Sequence, residues 1–163
     1  MNVSEIAFRS AINADTEKIT NLIFGVLREY GLKPEPAGTD ADLSDIETNY
    51  INRGGVFEVL ETTDGKILGT VGLFPINTET VELRKMYFDK QLRGQGIGKQ
   101  TLQRMIDYAL QQGFKRIYLE TNSVLREAIG LYLKFGFEPT DEKHSPRCNQ
   151  AFILELRNEG LTL

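Results

Sequence analysis

Apolar positions recur along this chain in two periods, and the order of those periods predicts its elements. Ile6 and Phe8 alternate with polar neighbours, so residues 4–10 read as a strand. Asp15 stands where a helix cap is favoured. Ile19, Leu22, Ile23, Val26, Leu27 and Tyr30 follow at helical spacing until Gly31 ends the run. Lys33–Gly38 carries two prolines and reads as a loop, after which Leu43, Ile46 and Tyr50 fall on one face of a short helix that breaks at Gly54–Gly55. Period two returns at 56–62 and 67–74, joined through Thr63-Asp64-Gly65-Lys66, whose Asp-Gly pair favours a hairpin. A third strand, Thr80–Phe88, follows a loop at Pro75–Asn77. Ile97, Leu102, Met105, Ile106, Ala109 and Leu110 then form a helical stripe that begins inside a glycine run and reaches Gln112, with Gly113 just beyond it. Arg116–Glu120 is a strand and Val124–Phe135 a helix ending at Gly136. Phe137–Pro139 and Gln150–Leu156 are two last strands around a polar loop.

Three consecutive strands over 56–88 argue against a doubly wound parallel sheet. The expected architecture is an α/β (α+β) domain with a mixed sheet, antiparallel in its first part and connected by crossovers later. A chain of 163 residues suits one domain, 1–163, with a core of ordinary size. Apolar residues make up 40% of the chain and charged residues 26%, and no stretch approaches 18 consecutive apolar residues, so no membrane span is expected. The first ten residues lack the basic and apolar regions of a secretory signal, and a single cysteine, Cys148, permits no internal disulfide; both fit a cytoplasmic protein.

The net charge of -4 hides an asymmetry. Residues 1–81 carry 13 acidic and 6 basic side chains, and residues 82–163 carry 10 acidic and 13 basic. That division suits an anionic cofactor on the second half and a cationic acceptor near the first, though scatter of surface charge accounts for it equally well. An acidic chain without a basic stripe interleaved with aromatics is not expected to bind nucleic acid.

The strongest local signal is Gln91-Leu92-Arg93-Gly94-Gln95-Gly96-Ile97-Gly98-Lys99. Glycines at alternating positions let the backbone turn tightly beside a ligand, and the first-turn N–H groups of the following helix are unsatisfied. With the helix dipole and the cations Arg93 and Lys99, this is a candidate diphosphate cradle; glycines that merely ease packing are the plainer reading. A Walker loop would need Ser or Thr after Lys99, where Gln100 stands, and a dinucleotide fingerprint would need glycine at position 99.

Residues 80–137 resemble the GCN5-related N-acetyltransferase (GNAT) superfamily. The match runs through Val81-Glu82-Leu83-Arg84-Lys85-Met86-Tyr87-Phe88, then Arg93-Gly94-Gln95-Gly96-Ile97-Gly98, then Glu120-Thr121-Asn122 and Leu131-Tyr132 to Gly136-Phe137. The late Ser145-Pro146-Arg147-Cys148 segment is similar to that of many bacterial members. The resemblance implies a mixed sheet of about six to seven strands flanked by about four helices. It implies acetyl-CoA as acyl donor and no metal. It also implies that the strand Val81–Phe88 splays from its neighbour, with the backbone of Met86, Tyr87 and Phe88 holding the pantetheine arm and Met86 N–H on the acyl carbonyl. By the same resemblance Arg93, Gly94, Gln95, Gly96, Ile97, Gly98 and Lys99 form the pyrophosphate loop, Asn122 contacts the cofactor arm, and Tyr132 lies near the departing sulfur.

An ammonium must lose a proton before its nitrogen can attack a thioester. Glu82 is the leading candidate base, with Glu120 second; a plain ion pair of Glu82 with Arg84 is an equal reading of the same residue. Tyr132 is the candidate donor to the thiolate, or a core residue of its helical stripe. A covalent route through Cys148 with His144 as base is the alternative mechanism. Around the acceptor, Tyr30, Arg84, His144 and Arg147 are candidate substrate contacts, with acidic Glu29, Asp40, Asp42 and Asp45 nearby in the sequence. The acceptor expected is a small or amino-acid-like primary amine; a protein or peptide amine, or acyl-CoA binding without turnover, are the alternatives. Homodimer formation is compatible with such an enzyme.

Overall fold

In a computed structural model of the chain, residues 5–157 are described. Seven strands form one sheet: β1 (Ile6–Ser10), β2 (Val56–Thr62), β3 (Ile67–Pro75), β4 (Thr80–Phe88), β5 (Arg116–Thr121), β6 (Glu138–Thr140) and β7 (Gln150–Glu155). Their spatial order is β1-β2-β3-β4-β5-β7-β6, and only the β4–β5 pair is parallel. The sheet is therefore mixed in the order expected, with hairpins in its first half and the crossover through a helix in its second. The helices are α1 (Thr16–Glu29), α2 (Ile97–Gln111) and α3 (Arg126–Lys134). Ser4, placed in the first strand by its pattern, lies outside the described residues. None of the described helices is long and apolar enough to cross a membrane.

Period-two alternation decides which side chains meet. Val81 and Leu83 of β4 face Leu102, Met105 and Ala109 of α2, together with Tyr132 and Phe137. The intervening Glu82 and Arg84 face the opposite layer, built from α1 and the segment after it. In that layer Ile19, Ile23 and Leu27 of α1 pack with Leu43, Ile46, Tyr50, Phe57 and Val59. The core thus lies on both faces of the sheet, and β4 runs between them.

Two local expectations are corrected. Asp15 does not cap α1 with its side chain; it accepts from Ile12 N at 2.9 Å and takes both guanidinium nitrogens of Arg9 at 2.8 Å. The segment after Thr39 is a 3-10 turn, Ala41–Asp45, followed by a π turn, Glu47–Ile51, in place of a short α-helix. Leu43, Ile46 and Tyr50 are buried in either geometry, so the apolar spacing alone could not separate them. What widens the winding is side-chain pairing across it: Tyr50 hydroxyl bonds the Asp42 carboxylate and Asn49 donates to Asp42 O at 3.0 Å.

The break after that segment is set by space. A Cβ on Gly55 would stand 2.2 Å from Leu73 O and 2.7 Å from Pro75 Cδ, while Gly54 takes φ 88°. Gly55 N also donates to Tyr50 O at 2.9 Å, so the turn is pinned against β3. Gly55→Ala must displace backbone rather than a flexible side chain. It should cost at least about 2 kcal/mol, read as a fall in Tm of roughly 5 °C or more; an unchanged Tm would contradict this packing.

Candidate functional site

The site exists because β4 parts from β5. Their parallel pairing covers only Thr80–Glu82 against Arg116–Tyr118, and beyond it the second half of β4 has no strand on that side. On its other edge, β4 stays paired with β3 but slips register between Thr70 and Gly72, leaving Val71 opposite both Lys85 and Met86. Lys85 takes φ 57°, a left-handed conformation that costs a lysine about 1 kcal/mol or more. Thr70 Oγ1 donates to Lys85 O at 2.7 Å and holds the bulge.

Lys85 Nζ in turn contacts Asp40, whose other partners are Arg147 Nη1 at 2.7 Å and Arg147 Nη2 at 2.9 Å. All three side chains are at least 92% buried, with 0% exposure for Asp40. Burial alone would raise the Asp40 carboxyl, but Arg147 and Lys85 outweigh it and hold it well below the ordinary 3.8. This cluster ties three separate segments together: the loop before Ala41, the β4 bulge and the loop before β7. Thr39 and Ser145 hydroxyls, 3.2 Å apart, and Arg147 Nη1 to Lys33 O at 3.2 Å complete a roof.

Under that roof a cavity of about 1260 Å³ runs along β4 from Glu82 to Phe88 and past the ends of α2, β5 and α3. Such a volume exceeds that of ordinary small-ligand pockets and has room for a long donor together with an acceptor. At one end lies the glycine turn. Gly94 and Gly96 take φ 77° and 79°, Gly96 precedes α2, and the Ile97, Gly98 and Lys99 amides have no acceptor among the described residues. Gly94, Gly96, Ile97 and Gly98 line the cavity. Gln95 instead turns back to donate to Gln91 O at 2.6 Å, and Lys99 borders a separate surface groove with Arg104. Arg93 lines the cavity but is engaged: it bonds Phe88 O at 2.8 Å and 3.1 Å and forms an ion pair with Glu29.

Along the middle of the cavity lie Met86, Tyr87, Phe88, Asn122 and Tyr132. Burial pushes the Tyr87 hydroxyl up to about 12, and raises that of Tyr132 further. Tyr132 is 6% exposed and its ring also packs on Phe137 at 5.6 Å, so it is both a core residue and a cavity wall. The Asn122 side chain is spent on structure: it donates to Arg147 O at 2.9 Å and accepts from Val124 N at 3.1 Å.

At the far end, Glu82 bonds Arg84 through Nε at 2.9 Å and Nη2 at 2.8 Å. Arg84 also stands 3.6 Å from Asp42 and 3.8 Å above the Phe74 ring. Glu82 is thus in the expected ion pair with Arg84 and also lines the cavity. Burial raises its carboxyl above the ordinary 4.5, and Arg84 only partly offsets this. Glu120 accepts from Tyr118 hydroxyl at 2.7 Å, His144 N at 2.9 Å and Ser145 N at 2.8 Å, which commits it to shaping the loop. His144 packs its ring toward Tyr118, 6.2 Å away, and the Cys148 thiol is pushed up by burial. Tyr30 sits under Arg93, 5.4 Å from ring centroid to guanidinium, at the glycine-turn end and away from Arg84.

Against known proteins, residues 23–137 match the acetyltransferase (GNAT) family. The chain belongs to that family. Within it, the uncharacterized N-acetyltransferase YjgM of Escherichia coli (strain K12) is 37% identical over 132 residues, 78% of each chain. A GNAT-family acetyltransferase of Staphylococcus aureus Mu50 superposes with a TM-score of 0.87 at 26% identity, covering 93% of this chain and 99% of its own. A GNAT phosphinothricin acetyltransferase of Sinorhizobium meliloti, solved in complex with AcCoA, shares the fold with a TM-score of 0.71 at 20% identity, covering 93% and 89%. Membership makes acetyl transfer the general class of activity for this fold.

Sequence reading passed over Asp40 and Lys85 as partners, because nothing local marks a pair 45 residues apart. Asp40→Asn leaves the buried Arg147 without its carboxylate partner and Lys85 with Asp42 alone, at 3.5 Å, and should cost about 3 kcal/mol in denaturant unfolding. Because the folded Asp40 carboxyl lies below 3.8, its stabilisation is full above that pH and is lost as pH falls through the lower folded value. Asp40→Asn should accordingly flatten the acid limb of the stability profile below about pH 4, and an unaltered limb would contradict the cluster.

Proposed function

We propose that this protein transfers the acetyl group of acetyl-CoA to the primary amine of a small molecule by direct attack within one cavity. One observation carries the reading: the unpaired half of β4 connects an anion-ready glycine turn at one end to a buried carboxylate, Glu82, at the other. In this reading the Gly94–Gly98 amides receive the diphosphate, supported by the α2 dipole. Arg93 acts by fixing Phe88 beside them. The edge of Met86–Phe88 away from β3, apart from Phe88 O held by Arg93, pairs with the pantetheine amides, and Met86 N–H polarises the acyl carbonyl. The AcCoA complex of the Sinorhizobium meliloti relative supports the choice of donor.

The acceptor arrives as an ammonium. Asp42 and Glu35 line the cavity and lend its wall negative charge that suits a cation. Glu82 removes the proton, its raised affinity bringing it nearer to the amine's own. The C–N bond forms, and collapse of the tetrahedral adduct breaks the C–S bond, the second amine proton passing to the departing thiolate to give amide and free CoA thiol. Tyr132 stays protonated because its hydroxyl is raised far above a thiol, so it stabilises the leaving thiolate by donating a hydrogen bond rather than by giving up its proton. The roof formed by Arg147, Asp40, Thr39 and Ser145 favours a small acceptor over a protein segment.

Incubation with acetyl-CoA and pooled amines, followed by mass spectrometry, should show a protein-dependent acetyl increment; acetyl-CoA binding with no product from any amine would contradict turnover. Glu82→Gln should lower kcat/KM by about 10²–10⁴-fold. The wild type should show a rising pH limb above 4.5 that the variant lacks, while the limb of the acceptor amine at higher pH remains. Tyr132→Phe should reduce kcat about 10- to 100-fold with acetyl-CoA affinity retained; an unchanged kcat would leave the tyrosine a packing residue.

A further inference from the structure

Cations lining the cavity are almost all neutralised by the protein itself. Arg84 is paired with Glu82 and Asp42, Lys85 with Asp40 and Asp42, Arg93 with Glu29, and Arg147 with Asp40. Arg53 differs. Among the described residues it lines the same cavity with no carboxylate oxygen within 4.0 Å. Its one hydrogen bond runs from Nη2 to Pro75 O at 3.2 Å, leaving most of the five guanidinium N–H groups without a protein acceptor.

Arg53 is exposed, and two contacts orient it. The guanidinium carbon lies 4.1 Å from the centroid of the Phe74 ring, and the backbone belongs to the turn that Gly54 and Gly55 pin against β3. Arg84 lies 3.8 Å from the same centroid, which places the two guanidinium carbons no more than about 8 Å apart. Glu82, at 2.8 Å from Arg84, belongs to the same neighbourhood. A planar donor fork on an aromatic platform matches a carboxylate in geometry and charge.

We infer that Arg53 is a specificity-determining residue that receives the carboxylate of the acceptor, so that the substrate class is a small molecule bearing both a primary amine and a carboxylate. The inference rests on the acetyl-transfer reading above and narrows its acceptor. Arg84 and Arg147, the arginines among the candidate substrate contacts, are already paired, and Arg53 takes their place. The amine is held toward Glu82 and the carboxylate toward Arg53, with Phe74 packing against the chain between them.

The test compares the wild type with Arg53→Ala and Arg53→Lys on the L-amino acids, β-alanine and γ-aminobutyrate, each against its primary amide, and on spermidine as a carboxylate-free amine. The wild type should acetylate at least one free acid with kcat/KM about 10- to 100-fold above that of its amide. In Arg53→Ala that ratio should fall to about one, chiefly through KM. Arg53→Lys should recover part of it, and acetyl-CoA affinity by calorimetry should be kept in both. Equal use of acid and amide by the wild type, or an equal loss on both in Arg53→Ala, would overturn the role of Arg53. Acetylation of spermidine but of no amino acid would overturn the substrate class while leaving acetyl transfer intact. Acetyl-CoA binding without acetylation of any amine would defeat the transfer reading itself, and this inference with it.

Discussion

A lysine in the left-handed region of a central strand needs a counterweight, and Asp40 supplies it. The bulge at Lys85 lengthens β4 by one residue against β3, and the strand has already left β5 after Glu82, its last parallel pair. The ammonium that this turn sends inward would be costly to bury alone. Asp40 accepts it and Arg147 together, so one carboxylate fixes the strand, the loop before the first 3-10 turn of the 41–51 segment and the loop before β7. Opening of the sheet and closing of the roof are thus two effects of one ion cluster. A buried cluster of this kind contributes less to net stability than to uniqueness, since an apolar replacement could fill the same space without fixing three segments.

Electrostatics divide the cavity along its length. At the glycine turn the backbone offers the Ile97, Gly98 and Lys99 amides, and Glu29 is engaged by Arg93. At the other end carboxylates outnumber open cations: Glu82, Asp42 and Glu35 face the space, and their nearest arginine and lysine partners are shared. An anionic donor and a cationic amine are drawn to opposite ends, with the reacting atoms meeting beside Met86 and Tyr132. The buried Glu82 gains proton affinity from the same exclusion of water that shapes the cavity.

Much of this was legible in the chain. The alternation of Val81 and Leu83 with Glu82 and Arg84 assigned each to its face, and the Asp64-Gly65 hairpin and the glycines before Ile97 set the order of elements. Glycine is readable because its backbone demands are local. What escaped depends on distant partners. Tyr50 pairing with Asp42 turned a helical stripe into a 3-10 and a π turn, and Arg9 drew Asp15 away from capping. Asn122 and Arg93, expected at the cofactor, and Arg147, expected at the acceptor, line the cavity, yet their polar atoms are committed to protein partners, which no spacing rule exposes. Arg53 carried no signal of its own in the chain, since its meaning comes from Phe74 on a strand twenty-one residues later.

The most direct measurement of the donor cleft is an amide NMR titration of the full chain with acetyl-CoA. Binding along the open half of β4 should shift the amides of Met86, Tyr87, Phe88 and Gly94–Gly98 together, in one saturable process, and leave the β1 edge at Ile6–Ser10 unmoved. Shifts that spare Met86–Phe88, or saturation with the glycine turn unaffected, would contradict a cofactor held between the parted strand and the start of α2.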